Sequence, residues 1–128
     1  MRDIIDVRGA SGVAYRFTRF REGNPLSAMG GNFIYARPRR TDEGAAQDGA
    51  GREGEGAPEV IYVGEAQNLL TDARRLWDQA VAEHGVTDLY TRLNISERTR
   101  QQEQSDILAA ARPPMNPEEP SAPGEVSP

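Results

Sequence analysis

VIYVGEAQNLLTDARRLWDQAVAEHG, residues 60–85, carries most of the information about the fold. Its first five residues, VIYVG, are β-branched or aromatic up to a glycine, which predicts a short apolar strand at 60–64, read as central in its sheet. Asn68 follows as a helix cap. Leu69, Leu70, Ala73, Leu76, Trp77, Ala80 and Val81 then recur at three- and four-residue spacing. That spacing predicts one amphipathic helix over 68–84, ended by Gly85. Asp72 in its first turn and His84 in its last both suit the helix dipole.

Working outward, the residues upstream read as strands. Residues 32–37, NFIYAR, form one. Residues 13–20, VAYRFTRF, alternate, with Val13, Tyr15 and Phe17 on one side and Arg16 and Thr18 on the other. Between 38 and 59 the chain runs through Pro38, many glycines and many acids without periodicity, which reads as a flexible insertion. Downstream, Leu89, Thr91 and Leu93 share a face of a strand at 88–94. Ser96 caps a helix over 97–111, with Ile107 and Leu108 as core residues and Pro113 and Pro114 as its stop. Residues 117–128, PEEPSAPGEVSP, read as a disordered tail. The fold class that follows is α+β: a small domain at 32–116 with a three-stranded antiparallel core sheet flanked by helices. Residues 1–31 add an N-terminal strand or hairpin extension.

Composition narrows the chemistry. With no cysteine, a thiolate zinc site, an iron–sulfur cluster, a disulfide scaffold and a cysteine nucleophile are excluded. With His84 as the single histidine, a histidine-rich metal site is excluded too. No apolar run approaches the ~20 residues of a membrane span, and the first residues lack a signal peptide's apolar stretch. The expectation is a soluble, cytoplasmic protein with no membrane partner. The net charge of -5 is uneven: residues 1–40 hold eight Arg against three acids, while 41–60 hold one Arg against six acids. Every basic residue is Arg, whose planar fork grips phosphate bidentately. Arg37, Arg39 and Arg40, at the end of the 32–37 strand, are candidate phosphate contacts.

Three motifs line up along the chain: Phe33-Ile34-Tyr35, then Tyr62-Val63-Gly64 running on as Gly64-x-Ala66-x-Asn68-Leu69, and finally Pro113-Pro114-Met115-Asn116. Together they resemble the GIY-YIG nuclease superfamily, with Phe33 where the first motif has glycine. The resemblance covers residues 32–116. It implies two strand tyrosines, a helix Arg that stabilises charge on phosphate, and a helix Glu that holds Mg²⁺. By analogy Tyr35 and Tyr62 take the tyrosine positions, and Gly64, Asn68 and Asn116 the structural ones. Asp72 stands where the family carries its Arg. Arg75, one turn on and near the same face, is the substitute, whereas Arg74 points away. Gln104 stands where the family carries its Glu. Glu103 is the adjacent candidate ligand and Asp106 the other nearby carboxylate.

Three functions follow. The first is a degenerate nuclease-like domain with weak or no cleavage. It would bind nucleic acid such as DNA, or a nucleic-acid-associated partner, with a partner protein supplying targeting. The second is an active Mg²⁺-dependent endonuclease using Tyr35, Tyr62, Arg75 and Glu103. The third is a protein-interaction module that touches no nucleic acid, which the acidic balance favours.

Overall fold

The computed structural model describes residues 3–23, 25–39 and 58–116. Arg40, most of the expected insertion and the expected tail at 117–128 lie outside the described residues. Among these residues, five strands form one antiparallel sheet: β1 (Ile4–Arg8), β2 (Ala14–Arg19), β3 (Gly31–Arg37), β4 (Glu59–Ala66) and β5 (Asp88–Leu93). Their order is β1-β2-β5-β3-β4. Three helices are present among the described residues: α1 (Leu69–Asp72), α2 (Trp77–His84) and α3 (Glu97–Ala111). The chain is therefore α+β, as the sequence implies, but with a five-stranded sheet.

Strand alternation gives the sheet two distinct faces. Phe33, Tyr35 and Leu89 point to one and pack with Leu69, Ala73 and Ala80 of the α1–α2 segment. Ile34, Ala36 and Tyr90 point to the other and pack with Phe17, Val63 and Ile107 of α3. β3, with neighbours on both sides and helices on both faces, is the strand buried along nearly its whole length.

Four expectations change. VIYVG is not central, because β4 is an edge strand. Its apolar character has another cause. The register slips between Tyr35↔Tyr62 and Ala36↔Val60, so Ile61 is the extra residue of a bulge. Ile61 and Tyr62 therefore both join the α1–α2 side of the core. Second, β1 was not legible as a strand of its own. Third, Glu59 belongs to β4, not to the insertion, since it pairs with Arg37.

The fourth change is the most consequential. The expected helix over 68–84 is two helices separated by a turn at 73–76. The Tyr35 hydroxyl sits in the gap, donating to the Ala73 carbonyl at 2.7 Å and accepting from the Leu76 N–H at 3.2 Å. Around it the backbone bonds shorten to three-residue spacing, Arg75 N–H to Asp72 O and Trp77 N–H to Arg74 O. A hydroxyl inserted into the ladder is a known cause of a helix break. Leu70 and Val81, expected in the apolar stripe, are exposed rather than core.

The β4 edge is sealed by the end of the described chain. The Met115 N–H donates to Ile61 O at 3.0 Å. The Asn116 side chain then acts like a neighbouring peptide: Oδ1 accepts from Val63 N–H at 2.9 Å and Nδ2 donates to Val63 O at 3.0 Å. Gln104 Nε2 donates to the same carbonyl at 3.0 Å. Asn116→Ala is expected to lower stability by about 1–3 kcal/mol by leaving these edge groups short of partners. Asn116→Asp should recover little, because a carboxylate cannot donate to Val63 O. Chemical denaturation of both variants checks this.

On the far side, Asp106 of α3 fastens the β1–β2 turn. It accepts from Ser11 N–H at 2.8 Å, Ser11 Oγ at 2.6 Å and Tyr15 Oη at 2.7 Å. The Ser11 hydroxyl bond, followed by that of Tyr15, holds its carboxyl below the usual range. A carboxyl lowered on folding contributes stability above its unfolded pKa of ~3.9 and loses it as pH falls through the folded value. The stability advantage of the native chain over Asp106→Asn should therefore be full near neutrality. It should close below pH ~4 in denaturation curves taken across pH.

Candidate functional site

The β3–β4 register sets Tyr35 directly opposite Tyr62 and Phe33 opposite Gly64, all on the α1–α2 face. The rings form a cluster, with Tyr35 and Tyr62 centroids 5.4 Å apart and Phe33 5.9 Å from Tyr62. Trp77 meets Tyr35 edge-on at 5.2 Å. Gly64 has a specific structural reason: a Cβ there would fall on the Phe33 ring. Asn68 caps α1, its Oδ1 accepting from Thr71 N–H at 3.3 Å.

The two tyrosines differ in what their hydroxyls do. Tyr35 is fully buried, with its hydroxyl committed to the helix break. Burial is the main cause that pushes its pKa up to about 12. Tyr62 is half-buried, and among the described residues its hydroxyl has no hydrogen-bond partner. Burial raises its pKa as well, and the Arg75 charge pulls the other way. Arg75 stands in the turn that Tyr35 creates. Its side chain is 71% exposed and anchored to Asp72 Oδ1 at 2.7 Å. The exposed Arg75 guanidinium and Asp72 thus sit at the junction of α1 and α2. Arg74 does point elsewhere: its guanidinium lies over the Phe20 ring at 5.4 Å.

The candidate metal ligands are not brought to this place. Glu103 lies on the α3 face, bound to Arg92 at 2.8 and 3.2 Å and to Asn94 Nδ2 at 3.0 Å. Its side chain is 13% exposed. Both carboxylate oxygens are in use. Arg92 pairs in register with Asn32, which neighbours Phe33 in β3 and so points to the opposite face from the tyrosines. Gln104 is spent on Val63 O and Asp106 on the β1–β2 turn. This donor set does not fit a Mg²⁺ ion beside Tyr62, because the oxygen ligands it needs are saturated and on the wrong side of the sheet.

Of the three Arg proposed for phosphate, Arg37 is held by Glu59 at 3.1 Å and donates to the His84 carbonyl at the end of α2. Arg39 donates to Pro58 O at 3.3 Å, and Arg40 lies outside the described residues. The sequence reading missed the polar seam on the α3 face. Arg100, 3% exposed, donates to Glu65 at 2.8 Å and to the Asn94 and Ile95 carbonyls. Asn32, fully buried, donates to Arg100 O at 3.0 Å and accepts from Asn94 Nδ2. The available signal was alternation in 88–94, which sets Tyr90 and Arg92 against Leu89, Thr91 and Leu93.

Comparison with protein-family models, with curated proteins and with solved structures finds no match to this chain.

A buried phenol that resists ionisation contributes full stability below its unfolded pKa of ~10, which is lost as pH rises toward the folded value. Site-resolved NMR of the tyrosine rings should show Tyr35 and Tyr90 ionising near 12. Arg75→Ala should move Tyr62 further upward, because a favourable charge beside its phenolate is removed.

Proposed function

We propose that the chain is a GIY-YIG-like domain that binds nucleic acid, or a nucleic-acid-associated partner, with weak or no cleavage. In this reading β3, β4 and β5 with the flanking helices form the core, and β1–β2 is an addition. The phosphate site is Tyr62 with Arg75. The observation that carries the reading is the division of the catalytic set between two faces. On one, Arg75 keeps an exposed guanidinium and the Tyr62 hydroxyl has no hydrogen-bond partner among the described residues. Glu103 is locked to Arg92 on the other. Binding needs only the first pair: an exposed Arg fork and a phenol donor suit a phosphate oxygen pair. Hydrolysis also needs a cation or base near the scissile bond, and this arrangement withholds the carboxylate.

Fluorescence anisotropy with duplex, branched and single-stranded probes at rising salt tests the proposal. The expected result is binding that weakens steeply with salt, weaker binding in Tyr62→Phe, and a salt slope smaller by about one in Arg75→Ala. No binding at low salt, or binding indifferent to both changes, rejects the site and leaves a protein-interaction module. Plasmid nicking with Mg²⁺ or Mn²⁺ runs beside it. Metal-dependent nicking abolished by both Tyr62→Phe and Glu103→Gln would instead establish an active endonuclease.

A further inference from the structure

The two edges of the sheet are treated differently. At β4 the outward groups of Ile61 and Val63 are met by Met115, Asn116 and Gln104. At β1 no such cover is present among the described residues. The outward groups there can be identified. Gly9 N–H donates to Val13 O and Arg19 N–H donates to Asp3 O, so these are hydrogen-bonded pairs of the hairpin. In an antiparallel ladder such pairs recur at every second residue. Asp3, Ile5, Val7 and Gly9 therefore point inward to β2, and Ile4, Asp6 and Arg8 direct their N–H and C=O groups out of the open edge.

That edge is self-complementary in one register. An antiparallel pairing of β1 with β1 of a second copy, centred on Val7, sets Asp6 opposite Arg8 of the other copy, and Arg8 opposite Asp6. Both residues of each pair are outward-bonding, so the ladder continues across the junction. Centring on Asp6 would oppose two like charges, which is unfavourable. Centring on Ile5 places Asp6 opposite Ile4 and loses the ion pairs. In the Val7 register, half-buried Val7 meets its own copy on the α3 face. Ile4, 51% exposed, flanks the junction on the other face. Asp6 and Arg16 already form an exposed ion pair at 3.2 Å, which Arg8 of the second copy would extend.

We propose that the β1 edge is a self-pairing surface, through which two copies of this chain join their sheets antiparallel about Val7. The symmetry is that of an isologous twofold contact. It does not depend on the reading of Tyr62 and Arg75.

Sedimentation equilibrium of the full chain, from low-micromolar to millimolar concentration, is the test. The expected result is a reversible monomer–dimer equilibrium. Asp6→Pro removes one outward N–H and leaves the inner β1–β2 ladder intact, so it should weaken dimerisation about tenfold or more. Asp6→Arg and Arg8→Asp should each abolish self-association, because each opposes like charges twice. Mixed together, they should form a heterodimer in which both pairs are complementary. Far-UV circular dichroism confirms that each variant is folded. A chain that stays monomeric throughout, a dimer indifferent to Asp6→Pro, or single variants that fail to associate when mixed overturns the proposal.

Discussion

The Tyr35 hydroxyl in the broken turn between α1 and α2 is the constraint around which the rest is arranged. A buried phenol must find partners. Here it takes one backbone carbonyl and one backbone N–H from a helix that its sequence would otherwise make continuous. The consequence is geometric. The turn at 73–76 leaves Arg75 exposed and paired with Asp72, its charge favouring the Tyr62 phenolate, and sends Arg74 to Phe20. The consequence is also chemical. A hydroxyl used twice by the backbone and desolvated by its surroundings is poorly placed to take a proton from water.

The same sheet separates two kinds of polar group. On the α1–α2 face, the charged pair Arg75–Asp72 is exposed on the Arg side. On the α3 face, Arg92, Glu103, Arg100 and Glu65 form a seam whose bonds are short and whose charges are mostly withdrawn from water. Breaking such a pair by removing one partner is costly, because the other charge stays buried without compensation. The seam therefore fixes Glu103 where it is. For Glu103 to reach Tyr62 it would have to abandon Arg92 and cross the plane of the sheet. Its adjacency in sequence to the expected ligand position conveys nothing about that barrier.

What was legible in the sequence was local. Alternation in 13–20 and 88–94, the caps Asn68 and Ser96, and the stop at Pro113 are short-range signals, and the corresponding elements form close to where those signals place them. β1 was not legible, because IIDVR is short and its alternation is weak: Ile4 and Ile5 sit side by side. The helix break was illegible for a different reason. The apolar spacing over 69–81 is compatible with one helix, and the wedge comes from a residue distant in sequence. The partners of Glu103 and Gln104 were hidden likewise, since Arg92 and the Val63 carbonyl become neighbours only once α3 lies across the sheet.

Phe33 connects these points. In the motif that this chain resembles, the first position is glycine; here it is a ring placed across from Gly64. A glycine facing an aromatic side chain on the neighbouring strand gains packing that it cannot supply itself. The space over Gly64, which a backbone could use to approach a ligand closely, is filled instead by Phe33. Phe33, Tyr35 and Tyr62 then make one hydrophobic cluster with Leu69 and Ala73. Filling that space favours a rigid platform that holds Tyr62 and the Arg75 turn in place. It works against a cleft that must enclose a scissile phosphate, a water and a cation together. Under the proposed reading, the aromatic substitution and the carboxylate held on the α3 face act in the same direction, toward phosphate recognition at the rim and away from chemistry at the centre.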